Sequence, residues 1–282
     1  MKISNLIQAS IQFWLNLTGR TVDFEKYPFL KGPIATTNTI GEDFYEQLAK
    51  QEQLSITHTN HEGLLQEFQK VIDINSSHFQ KLDPAITEFY ELTATYNMEV
   101  WNQWKSPISW FAKILIRLVS VEMKQLNIPT SSLETSLGMS SAIIQLSDAT
   151  NIKYACWLRK SIKSNKVVYA GFYSSVRRQE NAPEYVKVVF PLPKGNVTVL
   201  LKVVVLEDGS VKLISDGKRF GETGYYRLHQ HKKGVVKARM IPIKEVIHVF
   251  QDKEGILRTD HFFKWWKFQF LQLHYKMTKK AI

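Results

Sequence analysis

VTVLLKVVVLEDGSVKLIS, residues 197–215, decides the fold class. Its first part, Val197–Leu206, is almost continuously apolar and rich in β-branched side chains, the composition of a strand covered on both faces. Glu207-Asp208-Gly209-Ser210 follows, and Asp-Gly between two apolar runs is the strongest two-residue hairpin signal. Val211–Ser215 then returns as a second strand.

The same alternation of short apolar run and turn extends outward on both sides. Strands are expected at Ala142–Leu146, Lys153–Arg159, Val167–Ser174, Tyr185–Leu192, Tyr225–His229, Lys237–Pro242, Val246–Gln251 and Ile256–Asp260. Lys194-Gly195-Asn196 and Lys253-Glu254-Gly255 suit tight turns. No helical spacing intervenes, which excludes a βαβ fold and indicates an antiparallel barrel or strongly curved sheet.

Before about residue 130 the spacing of apolar residues becomes helical. Helices are expected over Gly41–Lys50, with acids in the first turn, and over Gly63–Ile74. A third spans Pro84–Trp104, with Asp83 as N-cap and proline in the first turn. A fourth, amphipathic and basic, spans Ser109–Gln125. The expected fold is therefore α+β: a helical N-terminal segment, residues 1–130, packed on a C-terminal antiparallel β-barrel or strongly curved sheet, residues 131–282. The joint falls at Ile128–Ser132.

Composition narrows the class. A hydrophobic content of 44% with 12% aromatics in 282 residues supports a real core and argues against long disorder. The single cysteine, Cys156, excludes an intrachain disulfide framework and a Cys-rich zinc site, and fits a reducing compartment. The N-terminus lacks the uninterrupted apolar core of a signal peptide. A soluble, cytoplasmic protein is expected. The net charge of +11 is uneven. Residues 1–150 carry 11 Lys+Arg and 16 Asp+Glu, whereas residues 151–282 carry 26 and 10. A basic half of this kind suits anionic partners.

No complete catalytic motif is present. Asp260-His261 is the strongest candidate for general-base work, but neighbours on a strand point to opposite faces. Ser174 and Ser175 lack a Gly-x-Ser-x-Gly elbow and read as turn serines. Arg177 and Arg178 beside them read as a solvated loop. His229 and His231 share a strand face, yet no third ligand is tied to them by spacing, so no metal is expected. Gly217–Gly224 is not a P-loop; it reads as a loop at a barrel mouth that could hold an anion through Lys218, Arg219 and backbone N–H groups. Trp101 and Trp104 dock a helix in the plainer reading and line an apolar pocket in the other, with Tyr96 or Glu99 as polar handles. The predicted helix Ser109–Gln125 and the cluster Trp265, Trp266, Lys267, Lys276, Lys279 and Lys280 have apolar faces that are internal core in the plainer reading and an interfacial membrane contact in the other. Sequence-specific DNA binding is disfavoured, because the basic residues lie mainly on strands and turns.

FYELTATYNMEVWNQW (89–104), VFPLPKGNVTVLLKV (189–203) and GILRTDHFFKWWKFQFLQLHYKM (255–277) resemble a family of uncharacterised bacterial proteins. Leu15-Asn-Leu-Thr-Gly-Arg20 matches as well. The resemblance implies one architecture with a helical N-terminal part and a β-rich C-terminal part. It implies no activity, cofactor or site residue.

The functional expectation is non-catalytic binding of a small apolar or amphipathic ligand in a pocket between barrel and helices, with no cofactor. Arg159, Tyr173, Arg219 and His261 are the expected polar groups, with Trp101 and Trp104 as apolar ones. One alternative is a hydrolase or isomerase using His261 with Asp260 or a distant acid. The other is peripheral association with anionic membrane surfaces.

Overall fold

The computed structural model describes residues 10, 13–35, 40–58, 60–105, 139–162, 165, 167–178, 180, 182–231 and 234–280. The continuously apolar stretch at 197–206 falls in strand β8, Gly195–Val205, and it is the strand at which the sheet forks. One edge of β8 pairs with β7 (Tyr185–Leu192). On its other edge, residues 195–200 pair with β10 (Gly224–Gln230), while residues 202–205 pair with β9 (Val211–Ser215). Burial on both faces explains why this strand needs an unbroken apolar run.

The remaining strands extend both branches. From β7 the sheet runs to β6 (Val167–Val176), β5 (Ile152–Ser161), β4 (Met139–Ser147) and the short β2 (Ser55–His58). From β9 it runs to β12 (Ile243–Gln251), β13 (Leu257–Trp265), β14 (Phe268–Lys279) and β3 (Tyr96–Trp104). The side arm continues from β10 to β11 (Val236–Ile241) and β1 (Arg20–Thr21). All these pairings form one antiparallel sheet of 14 strands, ending at β2 and β3 without closing. The Asp-Gly turn between β8 and β9 is wider than a two-residue turn. Leu206 and Ser210 are joined by a 2.8 Å backbone hydrogen bond, and Gly209 sits at φ +83°, the left-handed position of a three-residue loop.

The expected α+β architecture is corrected on two points. The sheet is open rather than a closed barrel, and no helical N-terminal segment is evident among the described residues. Two short α-helices lie there, α1 (Phe44–Glu52) and α2 (Pro84–Glu91). Residues 13–18 are also helical. The predicted helix Pro84–Trp104 is half right. Asp83 caps α2 by accepting a 2.9 Å hydrogen bond from the Ala85 N–H. Thr93 Oγ1 then donates to the Phe89 carbonyl at 2.6 Å, a back-bond that competes with helix continuation. From Tyr96 burial alternates with period two, Tyr96, Met98 and Val100 inward, so the segment joins the sheet as β3. The predicted helix Gly63–Ile74 is only a 3-10 turn at Phe68–Val71, whose first N–H is taken by Glu91 Oε1 at 2.7 Å. The predicted helix Ser109–Gln125 and the joint at Ile128–Ser132 lie outside the described residues.

Each face of the sheet has its own cover. Phe44, Leu48 and Ala49 of α1 pack on the outer face against Ile144, Cys156 and Phe172. Val22, Phe29 and Leu30 cover Tyr226, Leu228 and Ala238 of the side arm. On the inner face α2 inserts Ile86, Phe89 and Tyr90 into the largest apolar cluster. Each such side chain contributes roughly 1.5–3 kcal/mol on burial. Because α2 plugs only one end of the curled sheet, the inner face beyond it is left lining a space.

Candidate functional site

That space is a cavity of about 630 Å³. Its wall draws on the inward positions of β3, β5 to β10 and β12 to β14, with Phe89 and Tyr90 of α2 at one end. By strand register the opposite end holds Trp265, Ile243 and Phe190. Trp265 begins a hairpin turn, Trp266-Lys267, and Trp265, Trp266 and Phe268 are 40%, 66% and 60% exposed.

Three polar side chains converge on the wall, one from each of three strands. His261 on β13 pairs through Nε2 with Oε1 of Glu245 on β12. Tyr225 on the side arm donates its hydroxyl to Glu245 Oε2 at 2.8 Å. The Glu245 backbone N–H donates to Ser215 Oγ on β9 at 2.9 Å. Glu245 therefore bridges the fork, tying the side arm to the main branch in a setting where all three side chains are buried. Burial, then the Glu245 charge, pushes the Tyr225 phenol well above its ordinary pKa, so it stays a donor.

A second group of polar atoms sits nearby. Tyr169, Tyr173 and Tyr275 present phenols to the cavity, all raised by burial. Behind them lies Arg159, 1% exposed. Its guanidinium carbon stands 5.4, 5.9 and 5.9 Å from the ring centroids of Trp157, Tyr169 and Tyr275, three rings of the cavity wall. Among the described residues, Nε and Nη2 of Arg159 have no hydrogen-bond partner.

The sequence candidates scatter. Tyr173 and His261 line the cavity, and Arg159 stands one ring behind it. Asp260 and His261 do not contact each other through the strand, which runs on to Trp265. Asp260 faces outward and pairs with His274 Nδ1 at 2.5 Å, while His261 faces inward to Glu245. Trp101 is an exposed strand residue, and Trp104 packs in a separate cluster beside Val100 and Leu271. Tyr96 and Glu99 do not line the cavity. Arg219 is exposed, in a loop whose anion position is filled internally: the N–H groups of Lys218 and Arg219 donate to Glu222 Oε2 at 2.7 and 3.1 Å. Arg177 pairs with Glu184 at 3.1 Å. His229 and His231 meet edge to face with centroids 5.2 Å apart, but burial and the cations Arg227 and Lys194 lower the His229 pKa to about 4, a poor setting for a metal cation. No group of three or more candidate metal ligands occurs among the described residues. Cys156 is buried in an apolar cluster and its thiol is pushed up by burial.

Glu245, Tyr225, Tyr169 and Tyr275 were not singled out from sequence. A signal for Glu245 existed: it shares the period-two register of Ile243, Ile247 and Val249, so a carboxylate stands where an apolar side chain is due. The strand boundary drawn at Val246 concealed it.

No family model matches the chain, and no solved structure matches it. The chain is similar to the uncharacterized membrane protein YndJ of Bacillus subtilis, 24% identical over 203 residues. The match covers 71% of this chain and 35% of that protein, so the chain spans little more than a third of the relative's length. This agrees with the resemblance to bacterial proteins of unassigned activity. Among the described residues no helix is long and apolar enough to cross a membrane.

Proposed function

We propose that the protein binds a small amphipathic molecule, without transforming it, in the cavity enclosed by the curled sheet and α2. The observation that carries this reading is the cavity itself: about 630 Å³ of space, walled by apolar and aromatic side chains with a few convergent polar groups. Binding sites for small molecules have this size and lining, with volumes of roughly 300–1,000 Å³. Dedicated polar groups inside such a wall fix a ligand's orientation. Glu245 is engaged with His261 and Tyr225, which suits a fixed wall element more than a base awaiting a substrate. Titration with an uncharged single-chain alcohol such as hexadecanol, followed by aromatic fluorescence, tests the reading. Saturable binding at one molecule per chain is expected. Absence of saturable binding for any single-chain amphiphile, charged or not, overturns it.

A second reading has a specific observation in its favour. The β13–β14 hairpin exposes Trp265, Trp266 and Phe268 beside Lys264 and Lys267, at the end of the cavity remote from α2. Amphipathic aromatics flanked by lysines are the side chains that settle at a lipid headgroup layer. This reading places the hairpin against an anionic membrane surface. Sedimentation with anionic vesicles, weakened by salt and by Trp266→Ala, is the expected result. Equal recovery in the supernatant with anionic and neutral vesicles overturns it.

A further inference from the structure

Arg159 is a buried cation without an anion. It is 1% exposed, and among the described residues no carboxylate pairs with it. Three aromatic faces surround the guanidinium at 5.4 to 5.9 Å, which eases the burial of positive charge. Ring faces do not satisfy the in-plane N–H donors, however, and an unsatisfied donor of a charged group is costly to bury. Tyr169 also hydrogen-bonds the guanidinium, and the nitrogens left without a partner among the described residues are Nε and Nη2. Those two carry N–H bonds that run parallel along one edge of the guanidinium. That edge is the fork that grips a carboxylate with two hydrogen bonds.

The surroundings point the same way. Trp157 and Tyr169, on the strand of Arg159 and its neighbour, and Tyr275, on β14, all face both Arg159 and the cavity. The cavity's own carboxylate, Glu245, is already paired with His261 and Tyr225. No other Asp or Glu belongs to the wall as described. The wall therefore contains an acid already engaged by a histidine and a tyrosine and, behind its rings, a guanidinium with no acid beside it among the described residues.

We infer that the ligand of the cavity is an amphiphile with a carboxylate head, which reaches between the tyrosine rings to the Nε–Nη2 edge of Arg159 while its apolar body fills the aromatic space. A compact planar anion of single charge matches one guanidinium edge held between ring planes better than a tetrahedral phosphate does. This inference rests on the binding reading above and specifies its ligand class.

The test uses the full chain and four probes sharing one apolar body: palmitate, its methyl ester, hexadecanol and hexadecyl phosphate. Wild type binds palmitate about 10- to 100-fold more tightly than hexadecanol or the ester, the worth of a charge-assisted hydrogen bond. In Arg159→Met that preference disappears, while affinity for hexadecanol is retained. Arg159→Lys, which keeps the charge and loses the fork, recovers only part of it. Equal affinity of wild type for palmitate and hexadecanol overturns the inference and leaves the cavity reading standing. Binding of none of the four overturns both. Tighter binding of hexadecyl phosphate than of palmitate overturns the carboxylate assignment. Should Arg159→Met fail to fold, the comparison of probes on wild type still decides.

Discussion

Glu245 is the residue on which most of the inner face depends. Its carboxylate accepts from the Tyr225 hydroxyl and holds His261, and its N–H meets Ser215 Oγ, so four strands meet at one residue. Removing this carboxylate leaves the Tyr225 hydroxyl and the His261 ring without their buried partner, at roughly 1–3 kcal/mol for each group. Glu245→Ala is therefore expected to lose that much stability in urea unfolding. Glu245→Leu combined with His261→Phe and Tyr225→Phe, which removes all three polar side chains of the network, is expected to cost far less. A loss of under about 0.5 kcal/mol for Glu245→Ala means that the pair is not made. His229 gives a pH prediction. Burial, then Arg227, His231 and Lys194, lowers its pKa from 6.5 to about 4. Between those values the unfolded chain binds the proton and the native one does not, so stability rises with pH across that window. The contribution is complete above 6.5 and is lost as pH falls toward 4. His229→Phe, which keeps a ring against His231, is expected to show a smaller drop in Tm from neutral pH to pH 4 than wild type. An unchanged drop means that His229 titrates in the native state as it does in the unfolded chain.

At the scale of elements, the β8–β9 turn shows how local chemistry becomes tertiary structure. Gly209 lies at φ +83°, and a Cβ there would meet the Lys81 carbonyl oxygen at 2.4 Å. Its own carbonyl accepts from the Asp83 N–H at 3.1 Å, so the turn seats the N-cap residue of α2. Gly209→Ala adds backbone strain to a backbone clash, and a loss of roughly 1–3 kcal/mol is expected by thermal unfolding. A change within about 0.5 kcal/mol means that the turn does not touch the α2 entry. The Asp-Gly signal was legible because turn chemistry is local. The strands from β4 to β13 were legible for the same reason, each being a short apolar run bounded by turn residues. The segment Tyr96–Trp104 was not, because Met98, Trp101 and Trp104 also fit a helical spacing and only pairing with β14 decides between the two. The C-terminal aromatic segment was noticed for its residues but not as a strand pair, since Trp266-Lys267 lacks glycine and Trp266 takes the turn's positive φ of 54° itself. Of the cavity, Tyr173 and His261 were singled out by residue type. Their neighbours Glu245 and Tyr225 come from strands 16 to 36 positions away, and no local pattern brings them together.

At the scale of the whole molecule, the fork in β8 and the cavity are one feature. The side arm supplies Tyr225 to the wall, the main branch supplies Leu213, Glu245 and His261, and β8 supplies Val197, Val199 and Leu201 to both. A molecule inside the cavity therefore touches both branches, whereas one held only at the exposed hairpin touches β13 and β14. A ligand that binds the native state alone stabilises it by about 2.7 kcal/mol at a free concentration 100 times its Kd. With hexadecanol at that ratio, global stability is expected to rise by this amount. Amide hydrogen exchange is expected to slow in β10 and β12 together, because local openings of either branch expose the same ligand. Tyr225→Phe removes the bond across the fork without emptying the wall, so it should weaken the shared protection more in β10 than in β12. Protection confined to β13 and β14 would instead place the amphiphile on the outer hairpin, and the cavity would lose its claim as the binding site.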